Sequence, residues 1–140
     1  MTNKTLLLLL LFCVSLFSNS FNSSQEQCIV EFKKRGGIYF KNEEANNIGE
    51  FSLVSKNHAI KKIPLEISSI TKSENLRNIS NSKIYIIFNK TNKYRLSNIS
   101  HKKIYLKKGL NKMHIKINKT RADILEGTAK IDFIITTKCK

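Results

Sequence analysis

Three histidines and the lysines beside them are the residues of this chain best suited to acid–base chemistry. His58 precedes Lys61 by three positions, Lys102 directly follows His101, and His114 stands alone. A pair of histidines with a lysine near a phosphate is the arrangement that a secreted nuclease would use. However, a chain with 25 Lys and Arg among 140 residues supplies such neighbours by chance. We therefore interpret all three histidines as solvated surface residues.

The carboxylates are too few and too dispersed to indicate hydrolysis or metal catalysis. The chain has 10 Asp and Glu residues, and Glu43–Glu44 is its one adjacent acidic pair. A glycosidase needs two carboxylates facing each other across a sugar, and a calcium loop needs several closely spaced acidic oxygens. The sequence contains neither a Gly-x-Ser-x-Gly nor a His-Glu-x-x-His motif. It predicts a protein that is not an enzyme, with no cofactor, no metal and no catalytic residues.

The first twenty residues have the layout of a secretory signal peptide. Lys4 precedes the apolar run Leu6–Val14, and small polar residues follow. Ser18 and Ser20 suit the small-residue positions of a cleavage site after Ser20. The run is shorter than the about 20 apolar residues that span a membrane. We expect residues 1–20 to be removed and the protein to be secreted, in an extracellular or periplasmic location, without a membrane span.

Cleavage would leave two cysteines, Cys28 and Cys139, near the ends of the mature chain. A lone pair in an oxidising compartment most often forms one disulfide bond. This bond would close a loop of about 110 residues and stabilise the fold by roughly 4–5 kcal/mol in the chain-entropy model. Two free thiols fit secretion poorly, and two cysteines without a nearby histidine pair do not complete a zinc ligand set.

The chain is strongly basic, with a formal charge of +15 that becomes +14 when Lys4 leaves with the leader. Such a charge attracts nucleic acid, anionic lipid or acidic polysaccharide. Two explanations stay open. Lysine, isoleucine and asparagine share AT-rich codons, so base composition accounts for much of the charge. A dedicated polyanion site is the other explanation, although phosphate-binding surfaces favour arginine. Its candidate contacts are Lys102, Lys103, Lys107 and Lys108.

Period-2 alternation of apolar and polar residues from Cys28 onward predicts short β-strands. The most apolar run, Ile84–Phe88, is predicted to be a central strand. The chain's one proline lies in the run Ile63–Ser68, which is therefore predicted to be an edge strand or the beginning of a strand. The runs Ile104–Leu106 and Met113–Ile117 are predicted to form a hairpin through the turn between them.

Seven to nine such strands, separated by polar turns and without a helix of three turns, predict an all-β fold. We expect an antiparallel immunoglobulin-like β-sandwich, with a small barrel as the alternative. Residues 21–27 are polar and are predicted to be flexible, and residues 28–140 are predicted to form one domain. Five Asn-x-Ser/Thr sequons follow the leader and would carry glycans in a eukaryotic host. They are Asn22, Asn78, Asn89, Asn98 and Asn118.

The C-terminal segment of about 30 residues resembles the end of bacterial fimbrial and adhesin subunits. Leu110–Asn118 reads as a strand, Ile124–Gly127 as a short aliphatic turn ending in glycine, and Ala129–Thr136 as a last alternating strand. The order of these three segments is similar to that in the fimbrial sandwiches. The resemblance implies an incomplete sandwich that a strand of a neighbouring molecule completes.

These patterns together predict a secreted, non-enzymatic β-sandwich that acts by binding or assembly at the cell surface. It would be a fimbrial or adhesin-like subunit or a free extracellular binding module. Its partner would be a protein or a glycan, with self-assembly by strand donation included and specific nucleic-acid binding excluded. The alternative is a secreted cationic effector that binds polyanions or anionic membranes. Fold class alone does not decide between these functions.

Overall fold

The computed structural model describes residues 27–139, and the predictions made for residues 1–26, Asn22 included, and for residue 140 lie outside that range. The described chain contains nine β-strands. They are β1 (Cys28–Lys34), β2 (Ile38–Tyr39), β3 (Gly49–Ser55), β4 (Lys62–Lys72), β5 (Ile84–Phe88), β6 (Asn92–Arg95), β7 (Ile104–Lys107), β8 (Gly109–Ile117) and β9 (Ile131–Thr137). The helical elements are the four-residue α1 (Leu96–Ile99) and the 3₁₀ turns Glu74–Leu76, Asn81–Lys83 and Arg121–Asp123.

The strands form two sheets that pack face to face. The six-stranded sheet has the order β1-β3-β8-β5-β6, and the short β2 pairs in parallel with β8. The three-stranded sheet has the order β7-β4-β9, and all pairs other than β2–β8 are antiparallel. The predicted all-β sandwich of seven to nine strands is confirmed.

Alternation along the strands builds the core between the two sheets. On β3 and β5, every second residue is fully buried and the residues between them face outward, as a strand with one covered face requires. β4 contributes a matching row from the smaller sheet. The fully buried side chains of these three strands are Phe51, Leu53, Ile63, Leu65, Ile67, Ile84, Ile86 and Phe88. β5 lies between β8 and β6, so its predicted central position is confirmed.

The predicted hairpin between the seventh and eighth strands is wrong. β7 pairs with β4 in the smaller sheet, whereas β8 pairs with β3 and β5 in the larger one. The chain crosses from one sheet to the other at Gly109, whose φ of 100° lies in the left-handed region that glycine adopts without steric cost. Alternation identifies the buried face of each strand, but it does not identify the sheet to which the strand belongs.

The prediction of an edge position for the proline-containing strand is also wrong, because β4 is the central strand of the smaller sheet. The alternative prediction, that the proline lies near the beginning of a strand, is confirmed. Pro64 pairs with Tyr105 of β7, and pairing with β9 begins only at Leu65. Pro64 therefore has a strand neighbour on one side, a position that a residue without a backbone N–H tolerates.

Asn111 of β8 is a fully buried polar residue in the core. Its amide nitrogen donates to the carbonyl oxygens of Lys107, at 2.9 Å, and Gly109, at 3.0 Å. Its amide oxygen accepts a bond of 2.7 Å from Asn89 Nδ2. Asn89 in turn accepts from the backbone N–H of Lys112 at 2.9 Å. This network ties the crossing between the sheets to the turn that joins β5 and β6.

We expect Asn111→Leu to lower the free energy of unfolding by about 2–4 kcal/mol, because it removes the partner of two part-buried backbone carbonyls and of the Asn89 amide. Urea denaturation of the variant and the wild-type protein measures this difference. Asn118→Leu is the matched control at an exposed position just beyond the end of the same strand, and its effect should stay within about 0.5 kcal/mol. Equal losses in the two variants would contradict the assigned role of the network.

Candidate functional site

A cleft of about 800 Å³ opens between the two sheets, on the side where β1 and β9 are the edge strands. Residues 32–38, at the end of β1 and in its link to β2, form one wall. Residues 128–133, which lead into β9, form the opposite wall, and residues 113–115 of β8 line the cleft between them. Apolar side chains of both sheets line this cleft, which makes it the first candidate for a binding site among residues 27–139.

The cysteine pair closes one end of this side of the sandwich. Cys28 of β1 and Cys139, just after β9, form a disulfide with a Cα–Cα distance of 5.4 Å, as predicted from the sequence. At the other ends of the same two strands, residues 32–34 and 131–133 line opposite walls of the cleft. The edges of the two sheets are therefore held together at the disulfide and open at the cleft.

Phe32 is the most exposed large apolar side chain in the described chain, with an exposed fraction of 63%. It lies opposite Phe51 in the β1–β3 register, so it projects from the core-facing side of its strand. The two ring centroids are 6.3 Å apart, yet Phe51 is 0% exposed. The core-facing side chains of β1 thus continue into the cleft, where none of the strands in the described chain covers Phe32 from the smaller sheet.

β9 shows the same incomplete coverage from the other wall. Its inward residues Ile131, Phe133 and Ile135 are only half-buried, and no residue of the strand is fully buried. On the neighbouring β4, by contrast, Ile63 and Leu65 are 0% exposed. The inner side of β9 therefore presents apolar surface that the described chain leaves partly open to solvent.

The rim of the cleft carries positive charge. Lys33, Lys34 and Arg35 follow Phe32 along one wall, and none of them belongs to a salt bridge among residues 27–139. On the other wall, the Nζ of Lys130 lies 3.2 Å from a carboxylate oxygen of Asp132, an exposed ion pair. The cleft combines an apolar interior with a cationic rim.

The histidines occupy separate elements. His58 is exposed in the link after β3, and His101 is exposed before β7. His114 is half-buried on β8, where its ring packs edge-on against that of Tyr39 with centroids 6.0 Å apart. Burial lowers the pKa of His114, and the charge of Lys116 lowers it further. Among residues 27–139, no group of three or more His, Cys, Asp and Glu side chains is placed to hold a metal ion.

The four lysines predicted as polyanion contacts do not form one cluster. Lys102 and Lys103 precede β7, whereas Lys107 and Lys108 follow its buried part. Since a strand rises about 3.3 Å per residue, the two pairs lie at opposite ends of β7. Lys107 is the cross-strand neighbour of Lys62 in the smaller sheet. Lys107 and Lys108 therefore belong to a separate lysine cluster that also includes Lys62.

Four of the five predicted glycosylation sequons lie within the described residues. Asn78, Asn98 and Asn118 are exposed, so their side chains are accessible to modification. Asn89 differs, because it is half-buried and one N–H of its Nδ2 donates to the buried Asn111, so a glycan would have to attach through the remaining hydrogen of this nitrogen. Glycosylation itself stays a prediction that depends on the host.

Comparisons with family models, curated proteins and solved structures found no match to this chain. The resemblance of its C-terminal segment to fimbrial and adhesin subunits therefore stays a prediction. Within residues 27–139, no helix has both the length and the apolar character to cross a membrane. The cleft and the distribution of surface charge are the features from which function is inferred.

Proposed function

We propose that this protein is a secreted, non-enzymatic β-sandwich that binds an extended segment of another protein in the cleft between β1 and β9. The segment would pair with the free edge of β9 as an added strand. In this mode of recognition, backbone hydrogen bonds supply affinity and pockets for alternate side chains supply specificity. The observation that carries the proposal is Phe32, which projects from the core-facing side of β1 and is 63% exposed.

Two free strand edges support this mode of binding. Among the described residues, β1 pairs with β3 alone and β9 with β4 alone. A free edge presents unpaired N–H and C=O groups that accept a further strand. β1 is protected by the charged run Lys33–Arg35 and by a register shift between Phe32 and Lys34, both of which discourage pairing. We therefore assign the added strand to β9.

The apolar walls of the cleft provide a source of binding energy. Phe32 lines one wall, and Ile131 and Phe133 line the other. Fully burying a side chain of this size is worth about 1.5–3 kcal/mol. A strand added beside β9 would turn its alternate apolar residues to the inner side, because every second side chain of a strand points to the same face. There they would lie next to Ile131 and Phe133 and cover Phe32 on the opposite wall.

Charge complementarity indicates the chemistry of the partner. The unpaired cations Lys33, Lys34 and Arg35 at the rim favour a segment whose outward positions or flanks are acidic. A second copy of this chain, with its formal charge of +15, would be repelled. We therefore assign the cleft to an acidic segment of a different protein, and not to self-assembly of the fimbrial kind.

A synthetic peptide tests this assignment. We expect a capped peptide of alternating valine and glutamate to raise the unfolding temperature of the protein comprising residues 21–140. At a hundredfold excess over the dissociation constant, the stabilisation should be about 2.7 kcal/mol. The peptide should also slow hydrogen exchange of the β9 amides. A peptide in which prolines replace the glutamates should do neither, because it cannot pair with a strand edge.

Two variants separate binding in the cleft from general adhesion. Phe32→Ser should weaken peptide binding, whereas Ile29→Ser, which removes an exposed apolar residue from the opposite face of the same strand, should not. Equal stabilisation by the proline peptide, or none by either peptide, would refute strand addition. Concentration-dependent self-association that Phe32→Ser abolishes would assign the cleft to a second copy and overturn the choice of partner.

A further inference from the structure

A cationic cluster lies at the opposite edge of the larger sheet from the cleft. Lys93 and Arg95 of β6 and Lys102, which follows α1, line a small pocket of about 250 Å³ together with Tyr94 and Asn98. We call these three cations the β6 cluster. β6 and β1 are the two ends of the strand order, so the cluster and the cleft are independent sites.

Tyrosine rings hold the three cations in place. The Nζ of Lys93 lies 4.1 Å from the ring centroid of Tyr85, and the guanidinium carbon of Arg95 lies 6.0 Å from the same centroid. The Nζ of Lys102 lies 5.3 Å from the ring centroid of Tyr94. A cation above a tyrosine face is attracted by about 0.5–1 kcal/mol at an exposed site. These contacts restrict the side chains before any ligand binds.

No carboxylate of residues 27–139 forms a salt bridge with the β6 cluster. The salt bridges found among residues 27–139 join other residues, and the sequence from 75 to 122 contains no Asp or Glu. The same stretch contains 13 Lys and Arg residues and includes the whole of β5 to β8. Its lack of acidic residues is the signal in the sequence that points to this surface. Lys102, one of the predicted polyanion contacts, belongs to this cluster, and its role as a contact stays a prediction. Lys93 and Arg95 were not predicted from the sequence.

We propose that the β6 cluster binds the sulfate groups of a sulfated polysaccharide. Lys93 and Arg95 share the face of Tyr85, and Lys102 lies over Tyr94 on the other side of the strand. Cations distributed around one edge in this way suit a polymer that carries several sulfates, each of which accepts charge-assisted hydrogen bonds. Nucleic acid fits less well, because bases bind single-strand sites by stacking on free aromatic faces, and cations cover a face of Tyr85 and of Tyr94. An anionic membrane also fits less well. Interfacial binding needs large exposed apolar residues, and those of the described chain lie outside β6 and α1.

Heparin serves as the probe, with protein produced without N-glycans because a glycan on Asn98 would occupy the pocket. The site variant replaces Lys93, Arg95 and Lys102 by Gln. The control variant replaces Lys61, Lys62 and Lys107 by Gln, which removes the same charge from the lysine cluster at the other end of β7. We expect the site variant to bind heparin at least tenfold more weakly near physiological salt, and the control to change less than threefold.

The salt dependence and two competing probes complete the test. The site variant should show a shallower fall of affinity with salt than the control, because fewer ions are displaced on binding. Equal weakening in both variants would show that only net charge matters, and would overturn the site. Tighter binding to single-stranded DNA, or to vesicles of an anionic phospholipid, than to heparin would also overturn it. Failure here would leave the cleft proposal untouched, since neither variant alters a residue of the cleft.

Discussion

Replacing Cys28 and Cys139 by serine is expected to lower the free energy of unfolding by about 4–5 kcal/mol, because it removes the disulfide. The two cysteines are separated by 111 positions, so the bond closes a loop that contains almost all of the described chain. In the chain-entropy model, the stabilisation comes from the unfolded state, whose freedom the crosslink restricts. This loss is a large part of the about 5–15 kcal/mol by which small domains are stable. It should lower the unfolding temperature by roughly 15–25 °C.

The wild-type protein treated with a thiol reductant is the control for this experiment. Reduced wild type and the double serine variant should unfold at the same urea concentration, since both lack the crosslink and differ only in sulfur and oxygen. A loss below about 1 kcal/mol in both would show that the unfolded chain is already compact without the bond. Intact mass with and without reductant would confirm that the pair is oxidised in the starting material.

Gly49→Ala is expected to cost about 3 kcal/mol of stability, for a steric reason. A Cβ at Gly49 would lie 2.6 Å from the backbone nitrogen of Gly36 and 3.0 Å from the carbonyl oxygen of Met113. A Cβ at Gly36 would in turn lie 2.6 Å from the same oxygen of Met113. All of these contacts are to backbone atoms, so a change of side-chain rotamer cannot relieve the overlap. The link after β1 and the beginning of β3 pack against each other without side chains between them.

Gly109→Ala is the matched comparison, because a Cβ at Gly109 meets nothing within 4 Å but the φ is 100°. Its cost comes from backbone strain alone and should be about 1–2 kcal/mol. Urea denaturation should therefore rank Gly49→Ala as clearly the more damaging change. The reverse order would mean that the link after β1 can move away from β3. Since Gly36 lines the cleft, Gly49→Ala should also weaken binding of the valine–glutamate peptide.

Local patterns in the sequence were sufficient for the type of fold. The alternation in Ile84–Phe88 predicted a strand with a buried face, and the structure places it between two neighbours in the larger sheet. Such a pattern is reliable because side chains of a strand point alternately to its two sides. A strand with one buried face therefore has apolar residues at every second position. The cysteine pair was predicted from the chemistry of its residues, which leaves few alternatives in a chain that is predicted to be exported.

Pairing between strands could not be predicted from the same patterns. The residues around Gly109 look like a hairpin turn, yet β7 and β8 belong to different sheets. The strand with Pro64 looks like an edge strand, yet it is central. Strand partners depend on contacts between residues far apart in the chain, and many sets of partners bury the same apolar faces.

Both candidate sites were decided by the tertiary structure for the same reason. The sequence shows Phe32 as one more apolar residue in an alternating run, and only the arrangement of two sheets of unequal width leaves it uncovered. Likewise, Lys102 was a candidate contact beside Lys103, but folding places it near Lys93 and Arg95. The order of residues by itself determined which side chains prefer burial and how much charge the surface carries. Long-range packing alone decided where apolar surface stays open and which charges lie together.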